Sequence, residues 1–244
     1  KALRTWLSDI GELEAYASLA QLTLAKEITS PPDYMTGSPY IKAENIMHPL
    51  LEEGSAVANS ITLKNGTYII TGSNMSGKTT FLRTIGINLV LMHAGASVCA
   101  ASFAAASMSL FTSMRVHDNV SEGISTFYAE ILRIQKMNEA SKERIPMLVL
   151  IDEIFKGTNS ADRIYCATSA IHHLHQPWII TMISTHDFEL CELCDDPRIY
   201  AQNYHFSEYY ENDKICFDYR LKEGKCTTTN ARELMRLAGF KEEV

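Results

Sequence analysis

The eight residues Gly72-Ser73-Asn74-Met75-Ser76-Gly77-Lys78-Thr79 constrain this chain more than any other segment. They fit the pattern G-x-x-x-x-G-K-[ST], and their surroundings fit as well. Before them, Asn65-Gly66 marks a tight turn, and Thr67-Tyr68-Ile69-Ile70-Thr71 reads as a buried strand. After them, Leu82, Ile85, Leu89 and Met92 recur on one helix face, with Gly95 at the expected C-cap. A strand, a glycine-bearing loop and a helix in that order form a phosphate cradle. The glycines let backbone N–H groups curl around phosphate oxygens, and the helix N-terminus adds positive potential. Lys78 places a cation on the β and γ phosphates, and the Thr79 hydroxyl is a magnesium ligand.

Two further segments fit this cradle. Met147-Leu148-Val149-Leu150-Ile151 is a continuous apolar run, the mark of a strand covered on both faces, and it ends in Asp152-Glu153. There Asp152 can reach a phosphate-bound metal, and Glu153 is placed to orient or deprotonate an attacking water. Ser184-Thr185-His186 follows another buried strand, 179–183, and His186 can sense a γ-phosphate by a hydrogen bond. Phe127, Ile131 and Ile134 mark a helix that ends before Pro146, and Ile164, Ile171 and Leu174 mark another. The alternation predicts an α/β domain with a mainly parallel sheet flanked by helices. Short strands are expected in 98–116, and alternating residues in 199–221 predict strands at an antiparallel sheet edge.

The composition excludes several classes. With 29 acidic and 22 basic residues among 244, the net charge is −7, which argues against a domain that coats nucleic acid with its whole surface. The most apolar stretch, 87–106, carries Asn88, His93, Gly95 and several serines, so no membrane partner is expected. The six cysteines lack a framework spacing, and the single Cys191-Glu-Leu-Cys194 lacks a second pair of ligands, so reduced thiols in a cytoplasmic protein are expected. His172, His173 and His175 read as a solvated helix end. Leu3, Leu7, Ile10, Leu13 and Ala17 keep helical spacing until Ser30-Pro31-Pro32-Asp33 breaks it. We therefore expect a helical end of a preceding domain at 1–35 and the main domain at 36–244. The start at Lys1 without Met is read as that of a fragment.

In this order the motifs resemble the C-terminal ATPase domain of the MutS family of DNA mismatch-repair and related proteins. Met47-His48-Pro49-Leu50 resembles the family's RHPL, and Thr71 to Thr80 resembles TGPNMGGKST. Ser125-Thr126-Phe127 with Glu130 resembles STFxxE. Asp152-Glu153-Ile154 with Gly157-Thr158 resembles DEIGRGT. Ser184-Thr185-His186 and Asn203-Tyr204-His205 resemble the STH and NxH segments. The resemblance implies a P-loop NTPase fold of the ABC-ATPase type, with ATP and Mg2+ as cofactors. It implies ATP contacts from Gly72, Ser73, Asn74, Met75, Ser76, Gly77, Lys78, Thr79 and Thr80, with His205 near the base. It implies Glu153, His186, Lys78 and Asn74 in hydrolysis, and Thr79 and Asp152 on the metal. It also implies a homodimer in which Ser125 reaches, in trans, the γ-phosphate held by the partner, with DNA bound through domains largely outside this chain. The helix at 1–27 would be the end of a lever to those domains.

The chain departs from the family at several points. Ala56, before Val57-Ala58-Asn59, stands where an aromatic often stacks on adenine. Phe155 and Lys156 stand where Gly and Arg are usual, and Asn159 and Arg163 also differ. Thr227-Thr228-Thr229-Asn230-Ala231 replaces a Ser-Tyr-Gly run, and the dimer-forming helix-turn-helix looks short after Gly239-Phe240. These features point to a divergent branch. Two alternatives remain: another ABC-type ATPase, which would carry an LSGG-like run where this chain has 123–127, and a nucleotide-binding interaction module without turnover.

Overall fold

The computed structural model describes residues 2–52, 54–114, 126–155, 158–211 and 214–226. Ser125, Lys156, Gly157 and the 227–240 departures lie outside them. In chain order the elements are α1 (Ala2–Ala25), β1 (Asp33–Met35), β2 (Tyr40–Ile46), β3 (Asn59–Lys64), β4 (Gly66–Thr71), α2 (Lys78–His93), β5 (Ser102–Ala106) and β6 (Ser109–Ser113). There follow α3 (Thr126–Ser141), β7 (Met147–Asp152), α4 (Ser160–Leu174), β8 (Ile179–Ser184), a 3-10 helix (Phe188–Asp195), β9 (Ala201–His205), β10 (Glu208–Glu211), β11 (Lys214–Phe217) and β12 (Lys222–Glu223). The class is mixed α/β.

The main sheet runs β12-β9-β4-β8-β7-β6, parallel throughout except for β12. β4 and β8 are buried at every residue and β7 at all but Asp152, because both faces are covered. Side chains alternate across the sheet. Tyr68, Ile70, Leu148, Leu150, Ile180 and Met182 face a core shared with α2 and a second sheet. Ile69, Val149, Ile151, Ile179 and Ile183 face a core with residues of α3 and α4. The second sheet runs β1-β5-β2-β3. The expected turn at Asn65-Gly66 therefore does not close a hairpin: it passes the chain from β3 in one sheet to β4 in the other. Gly66 takes φ +143 there, and a Cβ would lie 2.5 Å from the Tyr200 ring.

One expectation changes. Residues 201–205 form a parallel strand inside the main sheet, next to β4, and only β12 lies at the antiparallel edge. Local alternation reports a half-covered strand but carries no information about its neighbours. Ser30 bridges to Val98, and β1 pairs with β5, so residues 33–35 are part of the second sheet. The proline pair breaks the helix but leaves an extended chain free to pair. By contrast Leu3, Trp6, Leu7, Ile10 and Leu13 of α1 are exposed.

The loop after β7 holds a strained residue. Phe155 takes φ 58, a left-handed backbone that costs a non-glycine residue about 1–2 kcal/mol. Its ring is buried and meets Phe127 edge-on at 5.6 Å between centroids. Losing that ring is worth about 3–5 kcal/mol, so burial outweighs the strain. Phe155→Ala is expected to destabilise the fold by about 3 kcal/mol. Phe155→Gly should recover about 1 kcal/mol of that, reversing the usual Ala-over-Gly order. Urea unfolding of both variants checks the order.

Candidate functional site

The carboxyl ends of β4, β7 and β8 converge, the place where open α/β sheets bind ligands. The loop after β4 bends through Gly72 (φ 144), Met75 (φ 67) and Gly77 (φ 109) before α2 begins at Lys78. At Gly72 a Cβ would sit 2.6 Å from the Phe206 carbonyl oxygen, so only glycine fits. Ser76 is buried, and its Oγ has no hydrogen-bond partner among the described residues. A buried hydroxyl left unpaired in a loop of N–H groups suits an anion. Lys78 is also buried, and its Nζ donates to the carbonyls of Gly72 and Ser73, both at 2.8 Å. Those two carbonyls aim the ammonium back over the loop.

The start of α2 and the ends of β7 and β8 add the remaining groups. Thr79 Oγ1 lies 2.9 Å from both carboxylate oxygens of Asp152, and Ser184 Oγ also donates to Asp152. The register that pairs Asp152 with Ser184 sets this contact. His186 Nε2 lies 2.9 Å from Glu153 Oε1 and 3.4 Å from Lys78 Nζ. An ionised Glu153 carboxylate can only accept, so this contact is a hydrogen bond when Nε2 is the protonated ring nitrogen. Glu153 itself takes φ 56, and its N–H donates to the Ser184 carbonyl, which holds the strained backbone in place. Lys78, Thr79 and Glu153 border a cavity of about 450 Å3, lined also by Asn74, Thr80 and residues between Ile46 and Asn59. Asn88, buried on α2, fixes that segment by donating to the Met47 carbonyl and accepting from the Cys99 N–H.

The structure thus brings Lys78, Thr79, Asp152, Glu153 and His186 together, with Asn74 on the cavity that Lys78, Thr79 and Glu153 line. His205 does not line this cavity. It ends β9, and its Nδ1 lies 3.0 Å from the Gly224 carbonyl oxygen. Ser125 lies outside the described residues. The oxygens of Thr79 and Asp152 form a hard donor pair. They suit Mg2+, which takes one or two protein ligands and completes its shell with water and phosphate. Among the described residues no group of three or more His, Cys, Asp or Glu could hold a metal by itself. Cys191 and Cys194 are unsuited to a thiolate role, because burial raises both thiols, Cys191 to about 11.

Sequence reading missed several supports. Ser73 Oγ donates to the buried Glu208 at 2.7 Å, tying the loop to β10. Arg163 on α4 grips Asp187 through two hydrogen bonds of 2.7 Å, and so braces the turn that carries His186. His172 meets Asp196 at 3.3 Å instead of pointing freely into solvent. Each pair joins residues 24 or more apart in the chain. Local spacing cannot register such pairs.

A family model described as MutS domain V matches residues 68–244. Over 249 residues the chain is 30% identical to a protein named DNA mismatch repair protein MutS from Thermus thermophilus, a match covering 100% of this chain and 29% of the relative. It is 31% identical over 242 residues to one named DNA mismatch repair protein MutS 2 from Halobacterium salinarum, covering 96% of this chain and 27% of the relative. The chain therefore spans less than a third of the length of these relatives.

Proposed function

Since the chain belongs to the MutS domain V family, we propose that it binds and hydrolyses ATP as an ABC-type ATPase domain and so controls DNA binding by a longer parent protein. The observation that carries this reading is the convergence of Lys78, Thr79, Asp152, Glu153 and His186 on one loop of phosphate-binding geometry. In this reading the loop N–H groups and Lys78 hold the phosphates. Thr79 and Asp152 hold Mg2+, which would neutralise charge on the phosphate oxygens. Glu153 orients and deprotonates water, and His186 holds the Glu153 carboxylate in position and faces the terminal phosphate. Asn74 makes a polar contact there. Ser125 completes a second copy's site in trans, so the active form is a homodimer.

The parent protein binds mismatched or otherwise non-canonical DNA through segments beyond this ATPase unit. In that arrangement α1 belongs to the preceding lever, and the unit boundary falls at about residues 26–29, between the end of α1 and the Ser30 bridge. No helix among the described residues is long and apolar enough to cross a membrane.

The test is phosphate release by the purified chain at high protein concentration, with Mg2+ and with the ion chelated. Hydrolysis that needs Mg2+ and rises more than linearly with protein concentration is expected. Binding of ATP without phosphate release in any Mg2+-containing sample would favour a nucleotide-binding module instead.

A further inference from the structure

We infer that Tyr219 is the aromatic platform on which the nucleotide base stacks. This deepens the ATP-binding reading and rests on it. The polar groups lining the cavity come mainly from the phosphate loop and the end of β7. Its apolar lining comes from residues between Ile46 and Val57, Met75, Phe81, Phe206 and Tyr219. A purine base has an apolar face that gains from an exposed aromatic ring.

Three phenyl-type rings line the cavity. Phe81 is 4% exposed and Phe206 1%, and the two pack edge-on against each other, so neither offers a free face. Tyr219 is 42% exposed. Its ring lies over the start of α2, with Cδ1 3.3 Å from the point where a Cβ on Gly77 would be. Ala56, at the family's aromatic position, has no ring to offer, and the His205 imidazole does not reach this cavity.

Tyr219 is also held as a binding residue must be. The Asn59 side chain donates to the Tyr219 carbonyl at 3.0 Å and accepts from the Leu221 N–H at 2.7 Å. This two-bond clamp supports a left-handed backbone at Tyr219, with φ 52. The neighbouring Phe217 ring, 5.9 Å away between centroids, flanks it. The aromatic that segment 56–59 lacks is thus supplied from residue 219, and Asn59 of that same segment fixes its position.

The test compares ATP and inorganic tripolyphosphate binding to the whole chain by calorimetry. Tyr219→Ala is expected to weaken ATP roughly tenfold, the scale of a lost base–aromatic stack, and to leave tripolyphosphate unchanged. Tyr219→Phe should recover most of the loss. An unchanged ATP affinity in Tyr219→Ala, or an equal loss for both ligands, would overturn the inference while leaving the ATP site standing. If the unaltered chain binds neither ligand, the proposed function fails, and the inference fails with it.

Discussion

Glu153→Gln is expected to slow phosphate release roughly 100- to 10,000-fold, the usual contribution of a positioned general base, while ATP binding is kept. The substitution is nearly isosteric. A glutamine side-chain oxygen can still accept from His186 Nε2, so the 2.9 Å contact and the turn after β8 survive. What disappears is the negative charge that takes a proton from water. The left-handed backbone at residue 153 also survives, because it is held by the main-chain bond to Ser184 and not by the carboxylate. Binding and chemistry should therefore separate cleanly. The variant should accumulate with ATP as a species of twice the monomer mass, seen by light scattering, because the step that consumes ATP is blocked. Hydrolysis at the unaltered rate would remove Glu153 from the base role.

Much of the fold was legible because its central strands are buried on both faces. Runs such as Met147–Ile151 have few other uses in a chain of this length, and the loop pattern between a strand and a helix has a strict geometric meaning. The neighbours of Ala201–His205 were not legible, since the residues of that strand are only half-buried and its partners are set by the sheet around it. At the site, residues within a motif were legible and the links between motifs were not. Asp152 and Thr79 could be named separately, but their contact depends on the order β4-β8-β7 in the main sheet, which brings the start of α2 to the end of β7. Phe155 shows the limit from another side. Sequence alone marks it as a misfit for a glycine position, and only the packed Phe127 ring explains why a bulky residue is kept there. Tyr219 carries no motif at all, and its placement follows from a clamp by Asn59, 160 residues earlier in the chain.

Lys78→Met is expected to remove most nucleotide affinity while leaving the apo fold close to unchanged. The ammonium is buried, with 2.8 Å hydrogen bonds to two backbone carbonyls of its own loop and His186 Nε2 3.4 Å away. Methionine fills a similar volume. The Gly72 and Ser73 carbonyls lose a donor, but Lys78 itself lines an open cavity from which water can replace it. Phosphate has no such substitute. Hydrogen bonds to charged groups contribute about 1.5–3 kcal/mol each, so losing one or two to the phosphates weakens ATP roughly 100-fold. Linkage turns this into a thermal measurement. At 100 times its Kd, ATP stabilises the unaltered chain by about 2.7 kcal/mol. At the same concentration a 100-fold weaker site gives only about 0.4 kcal/mol. The ATP-induced rise in Tm should thus nearly vanish in Lys78→Met, with the apo Tm within a few degrees of the unaltered chain. A full ATP-induced rise in this variant would mean that the loop N–H groups hold the phosphates without the lysine, and Lys78 would lose its place in the site.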